Sequence, residues 1–173
     1  MSAITFQFDK TKAIEVILYL APKVADSDVY GICKLLYLVD KTSLEKYGRF
    51  VFGETYVAME EGATPSGVYD LLKDAAETPN DEMKIEGNNI IPLREPSIDY
   101  LSESDIECLD LIIDIYGKVP NWRRAIDAHD DAWRESWDKR GSKRSVGIPI
   151  ESIAKSLADS DDLIDFLSNR NAD

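Results

Sequence analysis

The stretch Cys33–Leu72, CKLLYLVDKTSLEKYGRFVFGETYVAMEEGATPSGVYDLL, decides the fold. Ile32, Leu35, Leu36 and Val39 recur at i, i+3, i+4 and i+7, the spacing of one buried helix face. Tyr47-Gly48 ends that helix, because glycine suits the left-handed position after a last turn. Phe50-Val51-Phe52 and Thr55–Met59 are β-prone runs on either side of Gly53-Glu54, which predicts a hairpin turning there. Gly62 breaks the chain after the second run. Pro65 fits the first turn of the next helix, where its missing N–H costs nothing. Tyr69, Leu72 and Lys73 follow at helical spacing.

Outward from this centre, residues 10–24 predict a helix with Ile14, Ile17, Leu18 and Ala21 on one face. Asp9 is its N-cap, since a carboxylate there accepts free first-turn N–H groups. One residue of Asp26-Ser27-Asp28 caps the helix around Cys33. MKIEGNNIIPL (83–93) predicts a second hairpin turning at Gly87-Asn88-Asn89, with Pro92 at an edge or strand end. Ser102 and Asp105 have the spacing of a capping box. They open a helix whose apolar face, widened by Leu111, Ile112 and Ile115, predicts a central position. Residues 120–140 read as one helix between Pro120 and Gly141. A basic loop, a helix over Glu151–Leu157, a short helix over Asp161–Leu167 and a frayed tail at Asn169–Asp173 complete the chain. The expectation is a single α+β domain over 1–173, mainly α-helical, with one or two small β-hairpins, its core at about 8–160 and a short helix and tail at 161–173.

With 173 residues the chain is long enough for a core without staples. Its net charge is −13, from 33 acidic and 20 basic residues. That argues against ordinary nucleic-acid binding, which requires phosphate neutralisation. It fits a basic partner or a polyanion mimic. A run of about 18 apolar residues would be needed to span a membrane, and there is none. The opening MSAITFQFDK lacks the blocks of a signal peptide, so a cytoplasmic location is expected. Cys33 and Cys108 sit in apolar helical patterns and read as reduced core thiols. With one histidine and no CxxC, no metal or other cofactor is expected.

Trp122, Ile126, His129, Trp133 and Trp137 share one helical stripe on the 120–140 helix. Either the stripe packs inside, with His129 hydrogen-bonded, or part of it anchors a partner, as Trp does at hot spots. Asp127, Asp130 and Asp131 are spaced to point away from His129. No nucleophile elbow, phosphate loop or HExxH occurs, so an enzyme is not expected. Arg134, Lys139, Arg140, Lys143 and Arg144 form a basic patch that is either a solvated helix end or an anion site.

LLYLVD (35–40), LEKYGR (44–49), ETYVAMEEG (54–62), TPS (64–66) and VYDLL (68–72) resemble the core of the Panacea domain, the SocA/GepA-like antitoxin family. AHDDAW (128–133) is similar to its His-x-x-x-Trp segment, and IPIESIAK (148–155) to its closing segment. Where the family has Gly-Pro after the second strand, this chain has Gly62-Ala63. The resemblance implies an antitoxin that blocks a cognate toxin protein by binding it, or an adaptor delivering a toxin to a protease. It also implies a bacterial or phage origin and a toxin encoded by a neighbouring gene; a homodimer stays open. An acidic DNA-mimic or anti-defence protein is the alternative, and a small enzyme using His129 with a nearby carboxylate is another. The candidate partner face comprises Tyr37, Asp40, Tyr47, Tyr56, Glu60, Glu61, Gly62, Pro65 and Tyr69, with acid Glu54 on its rim. His129 and Trp133 serve as structural or partner anchors.

Overall fold

Helix α2 (Val29–Tyr47) runs through the middle of the protein. The computed structural model describes residues 4–170. Asp28 caps α2 by accepting the Gly31 N–H at 2.6 Å, and Gly48 closes it in the left-handed region at φ 67°. Every residue from Gly31 to Asp40 is buried. The one-sided face read from the sequence is therefore too narrow. A helix enclosed all round is a central one.

Two apolar clusters share α2. The first lies among α2, α1 (Lys10–Leu20), α3 (Ser66–Glu77), α4 (Glu103–Tyr116) and the hairpin β3 (Met83–Glu86)–β4 (Asn89–Pro92). The second lies between α2, the hairpin β1 (Tyr56–Met59)–β2 (Gly62–Pro65) and the later helices. Those are α5 (Asn121–Ala128), α6 (Asp131–Asp138), α7 (Ile150–Lys155) and α8 (Ser160–Arg170). The fold is α+β and mainly helical, as expected, with an antiparallel sheet of order β2-β1-β5 and a separate β3-β4 pair. Strand β5 (Val146–Gly147) comes from the basic loop and was not foreseen.

Several local expectations hold. Asp9 caps α1 through the Lys12 N–H, Ser102 and Asp105 form the capping box, and Pro92 ends β4. α1 stops at Leu20 instead of running to residue 24, because Pro22 turns the chain into a short 3₁₀ segment, Ala21–Lys23. Cys33 and Cys108 are free and buried, and burial pushes the Cys33 thiol up to about 12.

Others are corrected. The first hairpin pairs β1 with β2 across Glu60-Glu61, not 50–52 with 55–59. Phe50, Val51 and Phe52 are buried but unpaired; the Val51 N–H donates to Asp40 Oδ1 at 2.8 Å, and the Phe52 carbonyl accepts from Asp9 N at 2.8 Å. Gly53 still turns the chain, at φ 72°, but against the Gln7 backbone, where a Cβ would lie 1.8 Å from the carbonyl oxygen. Pro65 is the last strand residue and the N-cap of α3, one step before a first-turn position. α4 is half-surface: Cys108, Leu109 and Ile112 turn in while Ile115 is exposed. The 120–140 helix is two helices, broken at His129-Asp130. The last helix begins at Ser160 and reaches Arg170, so the tail reading fails at 169–170, and 171–173 lie outside the described residues.

Candidate partner interface

Buried carboxylates fix the position of the β1–β2 hairpin. Tyr56 is 1% exposed, and its hydroxyl donates to Asp40 Oδ2 at 2.7 Å and lies 3.0 Å from the Leu36 carbonyl. Asp40 has no cation within ion-pair distance among the described residues, and burial pushes its carboxyl up to about 7. The Tyr37 ring meets the Tyr56 ring edge-on, with centroids 5.0 Å apart. Tyr37 Oη donates to Asp130 Oδ2 at 2.6 Å, and burial followed by the Asp130 charge raises the Tyr37 hydroxyl far above its usual range. Glu54 is not a rim acid. It is buried, and its carboxylate accepts the N–H groups of Thr55, Gly67 and Val68 at 2.8–2.9 Å. This caps α3 from a distance, since its own N-cap is Pro65, which has no side-chain acceptor.

The helix break serves the same hairpin. Asp130 Oδ1 accepts the Trp133 N–H, capping α6, while Oδ2 takes both Tyr37 and Lys41, the latter at 2.7 Å. Tyr37 and Lys41 are four apart on α2, so one face of the hub helix holds the joint. The joint places His129 Nε2 2.9 Å from the Glu60 carbonyl and Trp133 Nε1 2.7 Å from the Met59 carbonyl. The other ring nitrogen of His129 faces the Ala125 carbonyl. With backbone oxygens at both nitrogens, His129 has no carboxylate partner among the described residues. Gly62 (φ 118°) lies against this joint, and a Cβ there would come within 3.3 Å of Ala128 and His129.

The sequence-predicted face is thus divided. Tyr37, Asp40, Tyr56, Gly62 and Pro65 are buried, which corrects their assignment to a contact surface: they form its support. Glu60 and Glu61 are exposed at the hairpin turn, and Tyr69 is half-buried beside it. Tyr47 is exposed but sits at the C-terminal end of α2, bonded to Glu107 and away from the turn. His129 and Trp133 are half-buried, less enclosed than an all-core stripe requires. Trp122 and Ile126 leave the stripe altogether, at 67% and 62% exposure.

Two recesses flank the turn. On one side, Val29, Tyr30, Cys33, Lys34, Glu61 and Tyr69 line a small cleft of about 80 Å³. On the other, Glu60, Glu61, Trp137, Arg140, Lys143 and Arg144 line an open hollow of about 520 Å³. Trp137 stacks on Trp133, and the Arg140 guanidinium lies 3.6 Å above the Trp137 ring. Of the basic patch, Arg134 and Lys139 pair instead with Asp131 and Glu135 on the exposed side of α6. Sequence reading missed Tyr30 and Lys34. One signal was available: Lys34 is the only charge in the apolar run Val29–Val39.

No group of three or more His, Cys, Asp or Glu is placed to hold a metal, and no helix is long and apolar enough to cross a membrane, among the described residues. The geometry defines a mainly helical α+β protein in which a buried polar lattice holds one β-turn at the surface. The family model described as Antitoxin SocA-like, Panacea domain, matches residues 32–134, and the chain belongs to that family. No curated protein and no solved structure matches it. The matched span runs from within α2 into α6, so it contains most of the hub helix, the hairpin and the helix break. Membership points to a toxin–antitoxin-related role, with a toxin as the general kind of partner.

Proposed function

We propose that this protein is the antitoxin of a toxin–antitoxin pair and neutralises its cognate toxin by binding it directly in the cytoplasm. The whole chain acts as one unit, without catalysis, metal or cofactor, and the toxin is the product of a neighbouring gene. The observation that carries this reading is the family match, whose span coincides with the elements that build and support the Glu60-Glu61 turn. A surface turn anchored by His129 and Trp133 from behind is pre-organised, which lowers the ordering cost of binding.

Co-expression with the neighbouring gene tests the reading. The neighbour alone should arrest growth, both genes together should restore it, and the two products should co-purify. A harmless neighbour, or rescue without a complex, sinks it.

A further inference from the structure

Lys34 buries most of its side chain against the fold and brings its ammonium to a cleft. The residue is 8% exposed, yet its ammonium has no hydrogen bond or ion pair among the described residues. Asp28 acts on it by charge from beyond ion-pair distance, while its oxygens take the Gly31 N–H and the Asn121 amide. Glu61 acts on it only from beyond ion-pair distance. Its nearest favourable contact is the Tyr30 ring, with the nitrogen 5.7 Å from the centroid. The ammonium lines a cleft with Tyr30 and Tyr69, where its hydrogen-bond capacity is open to an entering group.

Across the turn, Arg140, Lys143 and Arg144 also lack carboxylate partners among the described residues, while their neighbours Arg134 and Lys139 have them. On a chain of net charge −13 these three cations outnumber Glu60 and Glu61, the two acids in the same hollow. Met59 and Glu61 line both recesses, so the two cationic sites share one ridge.

We propose that the two recesses form one receptor for an acidic segment of the toxin. Lys34 takes one carboxylate side chain between Tyr30 and Tyr69, and Arg140, Lys143 and Arg144 take another. This rests on the toxin-binding reading and gives that partner its chemistry: acidic at the contact, where net charge alone suggests a basic one. Glu61 on the ridge repels a third carboxylate, so the residue crossing the turn is uncharged or basic. Such a repulsive element sets register and specificity.

The probe is a fluorescein-labelled decapeptide of alternating Glu and Ser, with its Gln-Ser counterpart and a ten-nucleotide oligo-dT as controls. The protein's own net charge repels every polyanion, so measurable binding reports the local cations. The Glu-Ser peptide should bind on the order of tenfold tighter than the Gln-Ser peptide. Lys34→Met and the triple variant Arg140→Glu, Lys143→Glu, Arg144→Glu should each weaken it by about tenfold or more. Undetectable binding, unchanged affinity in Lys34→Met, or oligo-dT binding as tightly as the peptide each overturns the proposal. Failure of the antitoxin reading shows separately, as a harmless neighbour in co-expression, where the peptide has no part.

Discussion

Tyr56 Oη donates to Asp40 Oδ2 at 2.7 Å in a place closed to solvent and without a cation, so the first strand of the hairpin hangs on a carboxylate that resists ionising. Asp40 belongs to the LLYLVD run of the hub helix and Tyr56 to the strand behind the exposed turn. Their contact ties the support of the turn to one protonation equilibrium.

Stability should therefore depend on pH. Burial raises the Asp40 carboxyl from its ordinary 3.8 to about 7. The folded state then binds the proton more tightly than the unfolded chain, so the stabilisation is complete below pH 3.8 and is lost as pH rises through about 7. Glu54, also raised by burial, has the same sign, while Glu15 and Asp105, both lowered, act in the acid range. Urea unfolding should show about 2 kcal/mol more stability at pH 5.5 than at pH 8. Asp40→Asn keeps an acceptor for the Val51 N–H and should remove most of that difference; an unchanged pH slope would exclude Asp40 as its source.

Glu54→Gln should cost about 1–2 kcal/mol, because a Gln amide nitrogen cannot accept the Val68 N–H that Oε2 now accepts. Faster hydrogen exchange at Gly67 and Val68, with little change in α1, would locate the loss at the start of α3.

Asp130 and Asp131 are adjacent and chemically identical, but only the first holds the helix joint. Asp130→Ala uncaps α6 and strands the buried Tyr37 hydroxyl, which should cost about 2–4 kcal/mol. Asp131→Ala removes an exposed pair with Arg134 and should stay within about 0.5 kcal/mol. Denaturant midpoints of the two variants decide this, and equal losses would refute the joint.

Trp133→Ala should lose about 2 kcal/mol, below the range for a fully buried tryptophan because the ring is half-exposed. Trp122→Ala, at 67% exposure, should lose less than about 0.5 kcal/mol. Thermal melts separate the two outcomes.

The sequence by itself determined the hub helix with its Gly48 stop, the Asp9 cap, the Ser102–Asp105 capping box and the second hairpin. Each of these is set by residues a few positions apart. It also carried the family, through aromatic and glycine patterns that the buried lattice requires. Only the tertiary structure decided the rest. Gly62–Pro65 has little intrinsic strand preference and becomes a strand because α2 and the α5–α6 joint enclose it; Phe50–Phe52 has that preference but gives its backbone groups to Asp40 and Asp9 instead. The break at His129-Asp130 lies inside a continuous helical pattern and exists because Tyr37 and Lys41, far away in the chain, hold Asp130. The site divides for the same reason. Tyr37, Asp40 and Tyr56 looked like surface anchors by residue type, yet their partners are inside. Lys34 looked like one more helix position, and only the packing around it shows a largely buried side chain whose ammonium lines a cleft.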